Sequence, residues 1–163
     1  GANGSGKSTL FRALSGLLQV ASGEVSINGA IALCDDNLAL DLDQPLEKAI
    51  RFWTDLDGIK PAKLEAALEI LDLIGLADLP VRLLSAGQKR RGALARLLAS
   101  DVPIWLLDEP YNGLDQANVD RLDAALSRHT EKGGIALVAS HIAPTVNVTR
   151  SLVIDRPKAE LAA

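Results

Sequence analysis

The sequence contains no methionine and a single cysteine, Cys34, in 163 residues. One thiol cannot close an internal disulfide, and no metal-ligand spacing surrounds it, so a disulfide scaffold and a cysteine-based metal site are excluded; a reducing compartment is expected. Aromatics are scarce, at 3% of the chain, and Phe11, Phe52, Trp53, Trp105 and Tyr111 are too scattered to build a base-stacking platform. Positive charge is also short. The 17 Lys and Arg residues against 21 Asp and Glu leave a net charge of −4, the wrong sign for a protein that carries a broad phosphate-binding surface. No apolar run approaches the roughly 18 residues of a membrane span, and no signal peptide opens the chain. The expectation is therefore the cytosol or the soluble side of a membrane, with no nucleic-acid partner. What is plentiful is apolar side chain, at 48% hydrophobic residues, enough for one buried core. With no methionine and a start inside a glycine-rich loop at Gly1, the first structural unit is expected to precede this chain.

Along the chain, apolar positions at Leu10, Phe11, Leu14, Leu17 and Leu18 follow that loop at helical spacing. Glu24 to Ile27, then Asn28-Gly29, then Ala30 to Leu33 predict an antiparallel hairpin, since Asn-Gly tolerates positive φ at both turn positions. Residues 45–55 predict a short helix. Pro61 opens another, with Leu64, Leu68, Leu71 and Ile74 inward and Gly75 as its stop. Ser85 begins a helix with Leu94, Leu97 and Leu98 inward. Ile104 to Leu107 form a continuous apolar run after Pro103, as expected of a strand buried on both faces. Val119, Leu122 and Leu126 mark a further helix, and Ile135 to Ala139 and Leu152 to Ile154 two further strands. Alternating strands and helices predict an α/β domain with a mainly parallel core sheet.

Residues Gly1-Ala2-Asn3-Gly4-Ser5-Gly6-Lys7-Ser8 match G-x-x-x-x-G-K-[S/T] ahead of a predicted helix. Glycines let successive backbone N–H groups curl around a phosphate chain, Lys7 brings a positive charge to the β and γ oxygens, and the helix N-terminus adds its partial charge. Ser8 would offer its hydroxyl to Mg2+, with Thr9 beside it in the first turn. The strand 104–107 ends in Asp108-Glu109, placing two carboxylates at the sheet's carboxyl edge, where open α/β folds bind ligands. Alternate residues of a strand face opposite ways, so the two acids can take different tasks. Asp108 is expected to hold Mg2+ and Glu109 to activate a water. His141 follows the strand 135–139 and should reach the same edge, where it would contact a γ-phosphate. His129 is read as a surface residue, and Lys89-Arg90-Arg91 as a solvated helix face. Leu84-Ser85-Ala86-Gly87-Gln88 reads locally as a capping box, and a capped helix N-terminus can also bind a phosphate on another molecule.

The phosphate loop at Gly1 to Ser8 (Walker A), the LSAGQ run at Leu84 to Gln88, the acid-tipped strand at Ile104 to Glu109 (Walker B), Gly113-Leu114-Asp115 and His141 together resemble the ordered motif set of ABC transporter ATPases. Pro80 to Arg91, Ala93 to Leu97, Trp105 to Pro110 and Arg51-Phe52-Trp53 further resemble the ATP-binding subunits of haem exporters for cytochrome c maturation. The resemblance implies a P-loop nucleotide-binding domain over residues 1–163, with a small antiparallel hairpin and a helical subdomain at about 45–100, whose N-terminal strands precede Gly1. It implies ATP and Mg2+ as ligands: Gly1, Asn3, Gly4, Gly6, Lys7, Ser8 and Thr9 on the phosphates, and Ser8 and Asp108 on the metal. Glu109 and His141 would be catalytic. Ser85, Gly87, Gln88 and Asp115 would act on the nucleotide of a second copy in a head-to-tail dimer. An integral membrane subunit would be the transport partner and the only contact with the membrane, at the cytoplasmic face of the bacterial inner membrane.

Two positions depart from the family's pattern. The family carries a glutamine, or in the haem branch often a histidine, where this chain reads Leu33-Cys34-Asp35-Asp36-Asn37, and Gln44 lies further downstream. The adenine-stacking aromatic of the family falls before Gly1, so weak nucleotide affinity is expected of this chain alone. The functional expectation is ATP hydrolysis that powers haem export or release of a haem chaperone. Three alternatives stand beside it: an ABC ATPase for another exported substrate, a non-transport ABC ATPase acting on ribosomes or DNA, and a nucleotide-gated module without turnover.

Overall fold

A computed structural model describes residues 4–142 and 144–154. Its elements are α1 (Lys7–Leu14), β1 (Ile31–Cys34), α2 (Leu46–Leu56), α3 (Pro61–Ile70), two 3-10 turns at Ile74–Leu76 and Val81–Leu83, α4 (Ala86–Ala99), β2 (Ile104–Asp108), α5 (Gln116–Glu131) and β3 (Ile135–Ala139). The strands form one parallel sheet in the order β1-β2-β3, with Ile31 opposite Ile104 and Ile104 opposite Ile135. Parallel neighbours need long crossovers. Helices α2 to α4 form the first and α5 the second.

Helix ends follow from local chemistry. Pro61 sits in the first turn of α3, where its missing N–H costs nothing. The Ser85 hydroxyl accepts from the Gln88 N–H while the Gln88 side chain accepts from the Ser85 N–H, the reciprocal cap that opens α4. Asp115 caps α5 by accepting from the Asn118 N–H. Helix α4 packs closely on α2, because at Gly92 a methyl group would lie 2.9 Å from the Leu46 side chain. Leu46, Ile50, Leu64, Leu68 and Leu94 fill the space between α2, α3 and α4.

The centre of the molecule is β2, buried at every position. Its side chains alternate: Trp105 and Leu107 enter the large core with Leu94, Leu122 and Leu126, while Ile104 and Leu106 meet Phe11 of α1 and Ala139 of β3.

Several expectations are corrected. The antiparallel hairpin is not among the described elements: residues 24–27 form no strand, Val25 and Ile27 are exposed, and 31–34 pair in parallel with β2 instead. The Asn-Gly signal is local, whereas β1 is placed by burial against β2. Leu152 to Ile154 likewise form no strand, with Leu152 and Val153 exposed. Helix α1 stops at Leu14 because Gly16 turns the chain at φ 74°, and Leu17 and Leu18 are left exposed. Helix α3 ends before Gly75, and Ile74 lies outside it, exposed.

Candidate functional site

Gly4 and Gly6 have φ of 73° and 103°, left-handed values that turn the loop into the N-terminus of α1. Beyond it, Gly4, Gly6, Lys7, Ser8 and Thr9 line an open cleft of about 310 Å³, closed on the other side by Asp108 and Glu109. Gly1 and Asn3 lie outside the described residues. The cleft is thus a helix N-terminus with its positive partial charge facing two carboxylates across one lysine.

Asp108 continues the even-numbered side of β2 and so points to the α1 face. It is 6% exposed, and its Oδ1 has no hydrogen-bond partner among the described residues. An orphaned buried carboxylate oxygen in a cleft that Ser8 also lines is a donor set that fits a hard divalent cation. Ser5 Oγ is likewise buried without a partner among the described residues.

Strict alternation would send Glu109 to the opposite face. Instead Glu109 has φ 46°, its N–H donates to the Ala139 carbonyl at 2.7 Å, and its side chain returns to the cleft. There Oε1 lies 3.8 Å from Lys7 Nζ, and Oε2 lies 2.8 Å from His141 Nδ1 and accepts from the His141 N–H at 3.3 Å. The expectation that the two acids face opposite ways is therefore corrected, and the reason is the left-handed backbone at Glu109. His141 reaches the edge through the end of β3, and its side chain is exposed to solvent over the carboxylate.

Ser85, Gly87, Gln88 and Asp115 do not line this cleft. They form a second group. A methyl at Gly87 would lie 2.4 Å from the Gly113 carbonyl oxygen, so the loop opening α4 and the loop opening α5 touch backbone to backbone. The Asp115 carboxylate accepts from Asn118 N and Nδ2 at 2.9 and 2.7 Å, and these bonds hold its carboxyl below the usual carboxylate range.

Two further readings are corrected. Of the run Lys89-Arg90-Arg91, Arg90 is buried: Nη1 donates to the Asp35 carbonyl at 2.6 Å and Nη2 to the Asp108 carbonyl. Arg91 donates to the Leu71 carbonyl at 2.7 Å. The signal for Arg90 was in the sequence, since 90, 94 and 97 share one helical stripe. His129 is half-buried and stacks on Trp105 with centroids 3.7 Å apart, and a methyl at Gly134 would collide with its ring. Trp53 donates to the Ala39 carbonyl at 2.6 Å beneath the Arg96 guanidinium, 4.0 Å above its ring. Sequence reasoning did not find Asp123, which is buried and accepts from Tyr111 Oη at 2.6 Å and from the Thr145 N–H at 2.9 Å, tying the segment after His141 to α5. No local pattern marks that triad.

Residues 1–112 match the ABC transporter family. The cytochrome c biogenesis ATP-binding export protein CcmA of Sphingopyxis alaskensis is 47% identical over 154 residues, covering 94% of this chain and 79% of that protein. The protein of the same name from Zymomonas mobilis is 54% identical over 142 residues, covering 86% of this chain and 63% of its own length. A dimeric ATP-binding cassette in a post-hydrolysis state, bound to ADP and Pi, superposes with a TM-score of 0.79 over 86% of this chain and 72% of that one; at 23% identity this likeness shows the fold. The chain belongs to the ABC transporter family, as a nucleotide-binding ATPase cassette of the P-loop α/β class. Within that family it is of the CcmA type.

Proposed function

We propose that the cleft binds ATP with Mg2+ and that the chain powers haem export, or release of a haem chaperone, in cytochrome c biogenesis. The observation that carries this reading is the meeting of Lys7, Asp108, Glu109 and His141 at one cleft in a chain of the CcmA type. Gly4, Gly6, Lys7 and Thr9, with Gly1 and Asn3, hold the phosphates, and Ser8 and Asp108 hold the metal. Held by Ser8 and Asp108, Mg2+ would supply positive charge against the triphosphate. Glu109 accepts a proton from water as the water oxygen attacks the γ-phosphorus. The bond from that phosphorus to the bridging oxygen breaks, ADP keeps the electron pair, and His141 holds the departing phosphate. Before nucleotide enters, Glu109 pairs with Lys7; incoming phosphates take over the lysine and free the carboxylate.

The separation of Ser85, Gly87, Gln88 and Asp115 from the cleft supports their use on the nucleotide of a second copy, arranged head to tail. Hydrolysis then removes the phosphate bridge and opens the dimer, which pulls on an integral membrane subunit. Among the described residues no helix is long and apolar enough to cross a membrane. In this reading residues 1–163 form one cassette with a helical subdomain at about 45–100, held to the cytoplasmic face of the inner membrane by its partner.

The test is covalent haem in c-type cytochromes, stained by peroxidase activity after deletion of the source gene and its restoration intact or as Lys7→Ala. Staining is expected to disappear, to return with the intact gene and to stay absent with Lys7→Ala. Staining unaffected by the deletion overturns the cytochrome c reading and leaves an ABC ATPase of another cargo.

A further inference from the structure

The buried Arg90 has no part in the mechanism above, yet its two carbonyl bonds end on segments that matter to it. A guanidinium is costly to bury, and this one is 7% exposed in its side chain, with Nε lacking a partner among the described residues. Its acceptors are the Asp35 carbonyl, in the segment where the family carries its glutamine or histidine, and the Asp108 carbonyl at the end of β2. The Asp36 carboxylate lies 3.9 Å from Nη1.

The Asp108 carbonyl belongs to the same peptide plane as the Glu109 N–H. One end of that plane is held by Arg90 and the other by the Ala139 carbonyl at 2.7 Å. A plane held at both ends fixes the position and direction of the Glu109 N–Cα bond, and about that bond Glu109 adopts φ 46°, a region that residues with side chains enter only when their surroundings impose it. That same φ brings the carboxylate back to Lys7 and His141. We propose that Arg90 is a positioning residue: by clamping the Asp108–Glu109 peptide from α4, it fixes the frame from which the left-handed Glu109 aims its carboxylate into the cleft. The inference rests on the reading of Glu109 as the base and adds a residue that acts through it.

The experiment uses the full-length protein and the variants Arg90→Met, Arg90→Lys and Glu109→Gln, with the Arg90→Met/Glu109→Gln double. Steady-state ATPase is expected to fall about 10- to 100-fold in kcat for Arg90→Met while KM for ATP changes by less than about threefold, because misaiming a base touches turnover and spares binding. Arg90→Lys, able to reach one carbonyl, recovers part of kcat. In the Glu109→Gln background Arg90→Met lowers the residual kcat by less than about twofold, as expected of two residues acting as one unit. Amide exchange supplies a readout independent of catalysis: the Glu109 amide exchanges faster in Arg90→Met, while Leu106 and Leu107 stay protected. An equal fold-loss in both backgrounds, a rise in KM at constant kcat, or exchange raised uniformly along β2 overturns the proposal. If Glu109→Gln hydrolyses ATP like the parent, the base assignment has failed, and the Glu109 amide alone then decides whether Arg90 holds the peptide.

Discussion

The two faces of β2 are built to different standards. On one, Trp105 and Leu107 join a core that runs through α2, α3, α4 and α5; on the other, among the described residues, Ile104 and Leu106 meet Phe11, Ala139 and the partly buried Leu14, Ile31, Leu33 and Leu137. The second face carries Lys7, Ser8 and Asp108, and among the described residues α1 is the helix that packs on it. A ligand site needs room and unpartnered polar atoms, both of which weaken packing, so the strand draws its stability from one side and its chemistry from the other.

The largest test of that asymmetry is a pair of truncations. Leu94→Ala, deep in the large core, is expected to cost about 5 kcal/mol in urea unfolding, whereas Phe11→Ala is expected to cost about 3 kcal/mol, the low end for that truncation, because the small cluster can collapse around the gap. Phe11→Ala should also loosen α1 and weaken binding of a non-hydrolysable ATP analogue, which Leu94→Ala at temperatures where it remains folded should not. Equal costs would erase the distinction between the faces. Next in size is Gly87→Ala, whose methyl meets the Gly113 carbonyl oxygen at 2.4 Å. Backbone must move, and overpacking of this kind costs about 1–3 kcal/mol. The expected outcome is a lower unfolding midpoint with nucleotide affinity of the isolated cassette unchanged, since Gly87 is outside the cleft; a loss of affinity would join the two groups.

The smallest effect is invisible at neutral pH. Burial pushes the Cys34 thiol from 9.0 up to about 11, and burial and then the bond to Asp123 raise the Tyr111 hydroxyl above its ordinary value. For an acid whose folded value is raised, the fold favours the neutral form. That stabilisation is complete below the unfolded value and is lost as pH rises through the folded one. The urea midpoint is therefore expected to be insensitive to Cys34 ionisation up to about pH 9 and to fall from there toward pH 11, with Cys34→Ala flattening that stretch. An unchanged slope would mean that the thiol is not shielded on the large-core side.

Much of this was legible in the residues. The run Ile104 to Leu107 announced a strand buried on both faces because continuous apolar sequence has no other use in an α/β domain, and the cap at Ser85 is satisfied by Gln88 three residues away, whereas the cap at Asp115 was not read. Leu17 and Leu18 failed locally, at the turn of Gly16, whereas the larger failures depended on distant partners. The Asn28-Gly29 turn signal lost to the pairing of Ile31–Cys34 with β2 across a crossover of three helices. His129 looked like a surface residue because its place is set by Trp105 and by the absence of a side chain at Gly134. The site residues were marked by spacing, but the turn of Glu109 back into the cleft was not. A backbone at φ 46° leaves no trace in residue type when the surroundings impose it.

The placement of the two tryptophans has a consequence for optics. Trp105 is buried in the sheet with an imidazole stacked on its indole, and Trp53 sits on α2, half-buried, with a guanidinium above its ring. One fluorophore therefore reports on the strand that ends in Asp108 and the other on the helical layer, in different surroundings and without an added dye. Intrinsic emission from this chain is a two-channel signal, and replacing either indole by phenylalanine isolates the other.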